Sequence, residues 1–424
     1  MSRLIKPDEN PLLENNKAIH QTQRLGSFHS YLSGLGSSAI AMGLQVVIVP
    51  WLVVGVLRES PDRVGLAQMS VMLPNLLLIL LGGAISDNKH LGTYLFRLYL
   101  LYLLPFGMML IAVFNGLLSY PLLIIFGATY GIITAFIQPA RESLLPQVCD
   151  RGLKNAVITT TLVQFGAQSV GFLLAGLFDR IGLVVLLAFQ MLMFVAAAFF
   201  IRNSQPANTG VRPIDQQQRK TILAGLKAVW YHATLRPLTL LVGATGFLGF
   251  GAYLVAVPLM TREVYAASVG FYASLQLSFT AGVLIANFLY LRLKHNFKRP
   301  GRVLLVSLFS RGLIMLYLST QPPVFLLFPA VLIWGMFSGI SISLGRVMTH
   351  TQAPEAYRSR IVSIYQLAFF GTAPLGAWMT GQIISSKGVL ETFAILGVLT
   401  VIAASVGVFS QLWRAAPEMP VKPL

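Results

Sequence analysis

Long apolar runs, one after another, constrain this chain more than any other feature. Twelve stretches of mostly apolar residues fall near 30–57, 64–86, 92–114, 117–138, 156–178, 181–201, 237–260, 268–291, 302–320, 323–345, 361–384 and 389–412. An α-helix needs about 20 such residues to cross the hydrocarbon core of a bilayer. A soluble domain carries about 25 % charged residues, and this 424-residue chain has 11 % against 55 % hydrophobic. That imbalance excludes a soluble globular protein, and the apolar content excludes a disordered one. The single Cys149 offers neither a disulfide framework nor a zinc-binding spacing. The expected fold is all-α and integral to the membrane. Residues 1–29 are polar and the first run is long enough to span, so no cleavable signal peptide is expected.

Residues 203–236 form the one long polar connection, with Pro206, Pro213 and Gln216 followed by an amphipathic stretch around Ile222–Trp230. The expected organisation is a tail at 1–29, a six-span half at 30–202, a central loop at 203–236, a second six-span half at 237–412 and a tail at 413–424. Basic residues orient it, because cytoplasmic loops carry the excess of Lys and Arg. Of the 31, 24 fall on the side of the termini and central loop, and five fall opposite: Arg58, Arg63, Arg180, Arg262 and Lys387. Both termini are expected in the cytoplasm of a bacterial cell, with the spans in its cytoplasmic membrane. The net charge of +17 is spread over loops rather than one face, which argues against a nucleic-acid partner.

The two halves superpose at a shift of 205 residues. Arg141 meets Arg346, Gln147 meets Gln352 and Val157 meets Val362. In the fifth and eleventh spans Gly166, Gly171 and Gly176 meet Gly371, Gly376 and Gly381, and Val64-Gly65 meets Val269-Gly270. Small residues also recur at four-residue spacing: Ala167, Gly171 and Ala175; Thr372, Gly376 and Thr380; Gly127 and Gly131; Gly335 and Gly339. Such stripes let membrane helices approach closely, either as static packing or as a surface on which helices slide.

Three local motifs stand out: Gly83-Ala84-Ile85-Ser86-Asp87 after the second span; Gln138-Pro139-Ala140-Arg141 with Leu145-Pro146 after the fourth; and Arg358-Ser359-Arg360-Ile361-Val362 leading to Pro374-Leu375-Gly376. With the repeat, they make the chain resemble the major facilitator superfamily over essentially its whole length. Within it the chain is similar to the drug:proton antiporter-3 group, with its enterobactin-exporter-like and macrolide-efflux-like proteins. The first motif departs from the family pattern, since Asn88-Lys89-His90-Leu91-Gly92 stands where a basic cluster is usual. The resemblance implies a monomeric carrier with a midplane site between rocking halves, exporting a small amphipathic molecule (drug, siderophore or secondary metabolite) in exchange for protons. It also implies gating by Asp87 against the start of the eleventh span, with Arg360 as a partner. Gly83 lies four residues before Asp87, on the same helix face. The repeat-related Arg141 and Arg346 join this gating set. A water-facing carboxylate at the end of a span is the plainer reading of Asp87.

The interior of the spans is short of ionisable groups. All 14 carboxylates and all six histidines fall in loops or at span ends. A proton-coupled carrier would then use a peripheral group such as Asp87, Glu142 or Glu263; uncoupled movement stays open. Arg311 sits near the middle of the ninth span, either snorkelling to the interface or offering a fixed cation to the interior. Arg97 is expected to snorkel. Gln45, Gln164, Gln168, Gln276, Tyr365 and Gln366 join Arg311 as cavity candidates, because the family places their spans around its cavity; Gln190 ranks below them. No GxxxxGK[ST], HExxH or GxSxG occurs, so neither ATP drive nor catalysis is expected, and no cofactor or metal. An uptake carrier of the same fold, and a membrane sensor or assembly partner without transport, remain alternatives.

Overall fold

The computed structural model describes residues 11–86, 90–149, 153–204, 222–292, 299–353 and 358–414, and every regular element among them is a helix. Hydrocarbon leaves backbone N–H and C=O groups no partner outside the segment itself, and a helix satisfies them internally. The first group of elements comprises α1 (Pro11–Trp51) with a π-helical turn at Leu52–Val56, α2 (Pro61–Ser86), α3 (Leu91–Leu101), α4 (Leu103–Phe114), α5 (Tyr120–Val148), α6 (Leu153–Ala175), the short α7 (Phe178–Ile181) and α8 (Leu183–Asn203). A connecting helix α9 (Ile222–Tyr231) follows. The second group comprises α10 (Leu235–Ala244), a π turn at Thr245–Phe250, α11 (Gly251–Leu259), a π turn at Met260–Val264, α12 (Val269–Arg292), α13 (Pro300–Leu318), α14 (Val324–Gln352), α15 (Arg358–Lys387) and α16 (Val389–Val408).

Ten helical stretches among the described residues are long and apolar enough to cross a membrane. α2 and α6, of 26 and 23 residues, pack among them. Several expected runs differ in detail. α1 starts well before residue 30. α5 and α14 continue to Val148 and Gln352, past the apolar runs, because a helix that leaves the hydrocarbon keeps its own backbone bonded without apolar side chains. The run at 92–114 is two helices meeting at Tyr102. Pro105 has no N–H to bond the carbonyl four residues earlier, which is Leu101, the last residue of α3. The run at 237–260 carries a π turn close to Gly243, Gly246 and Gly249, and a second follows at its end, Met260–Val264.

The helix ends near residues 86–91, 149–153, 204, 235, 292–299, 353–358 and 408–414 lie on one side, here termed the terminal side. Tight turns occupy the opposite side. Gly182 and Gly388 precede α8 and α16 there with φ of +85° and +86°, a conformation that side chains disfavour.

The small-residue stripes resolve into contacts within each group. A Cβ on Gly171 would overlap the Ile40 carbonyl of α1, and one on Gly376 would overlap the Phe247 carbonyl. Gly127 and Gly131 meet Ser70 and Val71 of α2, while Gly335 and Gly339 meet Phe279 and Val283 of α12. Contact between the groups uses other glycines. A Cβ on Gly65 of α2 would lie 2.7 Å from the Ala377 carbonyl of α15, and one on Gly381 would lie 2.6 Å from the Pro61 carbonyl. Gly176 and Gly270 bring α6 and α12 together in the same way, at 3.3 Å from Ala273 Cβ and 3.2 Å from the Gly176 carbonyl. These four glycines are two pairs under the 205-residue shift, and all lie near the opposite side.

Gly335→Ala is expected to destabilise the protein by about 1–3 kcal/mol, as overpacking does, because its Cβ has only the Phe279 backbone to enter. Gly166→Ala, with open space at that position, is expected to be neutral or stabilising. Thermal unfolding of the two variants in detergent checks the contrast.

Candidate functional site

Where the groups part towards the terminal side they leave a cavity of about 760 Å³, within the range that suits a drug-sized ligand. α1 contributes Gln45, Val46, Val49 and Pro50 to its wall. α2 contributes Gln68, Met72, Asn75, Ile79 and Gly83, which recur at steps of four, three, four and four and so share one face. α5 contributes Tyr130, Thr134, Gln138 and Glu142. Phe250 and Leu254 come from the kinked helix, and Ser363, Gln366, Leu367 and Phe370 from α15. Counted from the opposite-side ends of their helices at 1.5 Å per residue, Gln68 lies about 10 Å deep, Gln45 about 17 Å, Asn75 about 21 Å and Glu142 about 33 Å. The cavity is therefore amide-rich near mid-depth and carries a carboxylate towards the terminal side.

Glu142 is exposed, and it is the only carboxylate, lysine or arginine among the described wall residues. α5 runs on beyond residue 138 and carries Glu142 along the wall near the terminal-side end of the span. The amides are unevenly satisfied. Gln190 Nε2 donates to the Ala41 carbonyl at 3.1 Å and to Gln45 Oε1 at 3.5 Å. Gln45 Nε2, Gln68 Nε2 and Asn75 Oδ1 are buried and have no hydrogen-bond partner among the described residues. Gln45 and Gln68 are each 6 % exposed. Leaving one such atom unpaired costs about 1–3 kcal/mol, so three on one wall call for a ligand or a rearrangement that meets them.

Of the cavity candidates read from sequence, Gln45 and Gln366 line this wall and the other five do not. Gln276 is internally satisfied: Tyr253 donates to its Oε1, and its Nε2 donates to the Tyr272 hydroxyl at 2.8 Å. Tyr272 in turn donates to the Val46 carbonyl of α1 at 3.5 Å, across the two groups. Gln164 and Gln168 are half-buried on α6. Tyr365 is buried with its hydroxyl against Gly345 of α14. Arg311 is 5 % exposed. Its Nη2 donates to Thr245 Oγ1 at 3.1 Å and its Nε to the Ser307 carbonyl at 3.4 Å, so the guanidinium closes on the first π turn rather than reaching the interface. Arg97 is exposed.

Of the gating candidates, Gly83 lies in the wall with room for a Cβ, 3.9 Å from Pro139 Cβ. Its neighbour Gly82 makes the tight approach, against the Ala135 carbonyl. Asp87 lies outside the described residues, as does the side chain of Arg360. The repeat-related arginines differ. Arg141 is buried, its carbonyl accepts from the Tyr31 hydroxyl at 3.2 Å, and its Nη1 has no partner among the described residues. Arg346 is exposed. Gln68 and Asn75 were not singled out by sequence; the seven-residue spacing of two amides within one apolar run was the available signal.

The family described as transmembrane secretion effectors (MFS_3) matches residues 30–421. The Staphyloferrin A transporter of Staphylococcus aureus (strain NCTC 8325 / PS 47) is 24 % identical over 389 residues, covering 88 % of this chain and 92 % of the relative. The multidrug efflux pump Tap of Mycolicibacterium fortuitum is 22 % identical over 395 residues, covering 87 % and 91 %. Among solved structures, an auto-inhibited peptide transporter of the POT family matches with a TM-score of 0.71 at 13 % identity, over 93 % of this chain and 99 % of that one. A bacterial homolog of the human lysosomal transporter Spinster, inward-facing and unoccupied, matches with 0.68 at 14 % identity, over 94 % and 99 %. These structures bear on the fold alone. The chain belongs to the major facilitator superfamily of membrane transporters, in the family of transmembrane secretion effectors.

Proposed function

We propose that this transporter exports small amphipathic organic molecules from a bacterial cytoplasm in exchange for protons. The reading has a monomer of two six-helix halves, 30–202 and 237–412, rocking about the substrate, with the termini and the 203–236 connection in the cytoplasm. The observation that carries it is the cavity, with one carboxylate among its described wall residues, Glu142, below a mid-depth wall of unmet amides. The described structure reaches the terminal side and is closed opposite by the Gly65–Gly381 and Gly176–Gly270 crossings, an arrangement suited to loading from the cytoplasm. In the cycle, Glu142 releases its proton to the cytoplasm and its carboxylate takes a donor or cationic group of the substrate. Gln45, Gln68 and Asn75 hold amide, carbonyl or hydroxyl groups further in. Rocking then opens the mid-depth amides to the outer side, and a proton entering along the cavity takes the substrate's place on Glu142. A peptide-like or drug-like amphipath fits this pattern; a bare inorganic ion leaves the apolar wall unused.

The direction is tested by untargeted mass spectrometry on cells lacking the protein and on their parent. A compound retained in the cells and missing from the medium is the expected result, and one left behind in the medium would reverse the direction. Glu142→Gln is expected to abolish the dependence of substrate movement on an imposed pH gradient in proteoliposomes. It should also weaken binding of a cationic substrate about 10- to 100-fold, the worth of one charge-assisted hydrogen bond. Gln68→Ala and Asn75→Ala are each expected to weaken binding about 5- to 30-fold with the melting temperature unchanged. Gln276→Ala should do the reverse, lowering the melting temperature with little change in affinity; calorimetry of binding and of unfolding separates the two classes. Arg311→Ala is expected to lower folded yield and leave the affinity of the surviving protein unchanged. A fall in affinity at full yield would put Arg311 on the substrate path instead.

A further inference from the structure

Two arginines flank the chain where it leaves α16, and the cavity uses neither. After Val408 the chain turns through Phe409 and Ser410 into a 3-10 turn at Gln411–Arg414. On one side of this turn Arg236 of α10 lies over the Trp230 ring of α9, 4.4 Å from its centroid. On the other, Arg302 of α13 lies over the Trp413 ring at 4.7 Å and donates from Nε to the Trp413 carbonyl at 3.3 Å. Stacking on an aromatic face orients a guanidinium and leaves its charge unneutralised. Among the described residues neither arginine forms an ion pair, and no carboxylate lines the clefts on either side of the turn.

The two clefts differ in chemistry. One, of about 290 Å³, offers the polar side chains Arg236, His232, Ser410 and Gln411 beside Trp230. His232 Nδ1 accepts the backbone amides of Thr234 and Leu235 at 3.3 and 3.2 Å, so in the neutral ring the proton sits on Nε2 as a donor. The other, of about 380 Å³, is a groove between α13 and α16 floored by Leu305, Val306, Phe309, Ala404 and Val408. Between them Phe409 is 91 % exposed. α9 docks through the buried Val229 and leaves Leu226, Trp230 and Tyr231 exposed, as a helix lying in a membrane interface does.

We propose that this corner is a binding site for an anionic phospholipid, its phosphate facing Arg236 and Arg302 and one acyl chain lying in the α13–α16 groove. A free anion gains nothing from the apolar groove. A zwitterionic choline lipid brings its own cation to a region where no carboxylate among the described residues receives it. Only an anionic headgroup joined to a hydrocarbon chain uses both clefts, and basic pockets at the ends of membrane helices bind such lipids. The site is separate from the cavity, so it stands or falls independently of the export reading.

The test uses the full-length protein in detergent, titrated with phosphatidylglycerol, with phosphatidylcholine and with inorganic phosphate, and followed by native mass spectrometry. Phosphatidylglycerol is expected to be retained in preference to phosphatidylcholine, and phosphate should not displace it. Arg236→Gln and Arg302→Gln should each lower retention about five-fold. Displacement by millimolar phosphate, equal retention of the choline lipid, or unchanged retention in the double variant would each overturn the proposal. A readout that needs no variant is quenching of tryptophan fluorescence by phospholipids brominated on the acyl chain. Brominated phosphatidylglycerol should quench at a lower mole fraction than its choline counterpart, and equal quenching would count against the site.

Discussion

A peptide group in hydrocarbon has no water to bond and must find its partner within the protein, and most of this structure follows from that. It confines the chain to helices, and it forces every interruption of a helix to be compensated nearby. The kinked helix between Leu235 and Val264 shows the cost and its offset. Its first π turn begins at Thr245, and there the Thr245 hydroxyl meets the guanidinium of Arg311 while the Thr372 hydroxyl donates to the Gly243 carbonyl at 2.8 Å. Arg311 is thus a buried cation among neutral acceptors, the hydroxyl that opens the π turn and the Ser307 carbonyl of its own helix.

Close backbone approach is the second consequence, since apolar side chains gain no hydrophobic advantage from leaving lipid for another helix. Glycine makes that approach possible, and the glycines divide by what they bring together. Gly171, Gly376, Gly131 and Gly335 join helices within one group, where a Cβ would overlap backbone. Gly65, Gly381, Gly176 and Gly270 join the two groups, all near one side, with somewhat more room. The cavity is the space left where this second set has no counterpart.

The polar groups inside follow the same accounting. Gln276, Tyr253 and Tyr272 satisfy one another and end on the Val46 carbonyl, so they stabilise a junction. Gln68 and Asn75 are no more polar, yet each keeps an unpaired buried atom on the cavity wall. Gln190 Oε1 is unpaired too but lies off the wall, so a recognising amide is marked by an unpaired atom together with a place on the cavity, a property of neighbours rather than of residue type.

The all-helical membrane fold was legible in the sequence because it rests on composition and run length, which a bilayer reads one segment at a time. The 205-residue repeat was legible too, since Gly65, Gly176, Gly270 and Gly381 recur at that shift. Their task of joining the groups was not, because a glycine in a row of letters does not say which backbone approaches it. Gln45 and Gln366 could be picked out as amides in apolar runs. Glu142 could be named as a peripheral proton carrier, but its place on the wall could not be read, because hydropathy ended the fourth run at residue 138 whereas α5 continues to Val148. Arg141 and Arg346 are equivalent by sequence, yet one is buried beside Tyr31 and the other exposed. Sequence by itself determined that these segments are helices suited to lipid, since that depends on each segment's own transfer energy. Only the tertiary structure decided which faces meet, which polar atoms are left unmet and where the space lies, since those depend on contacts between residues far apart in the chain.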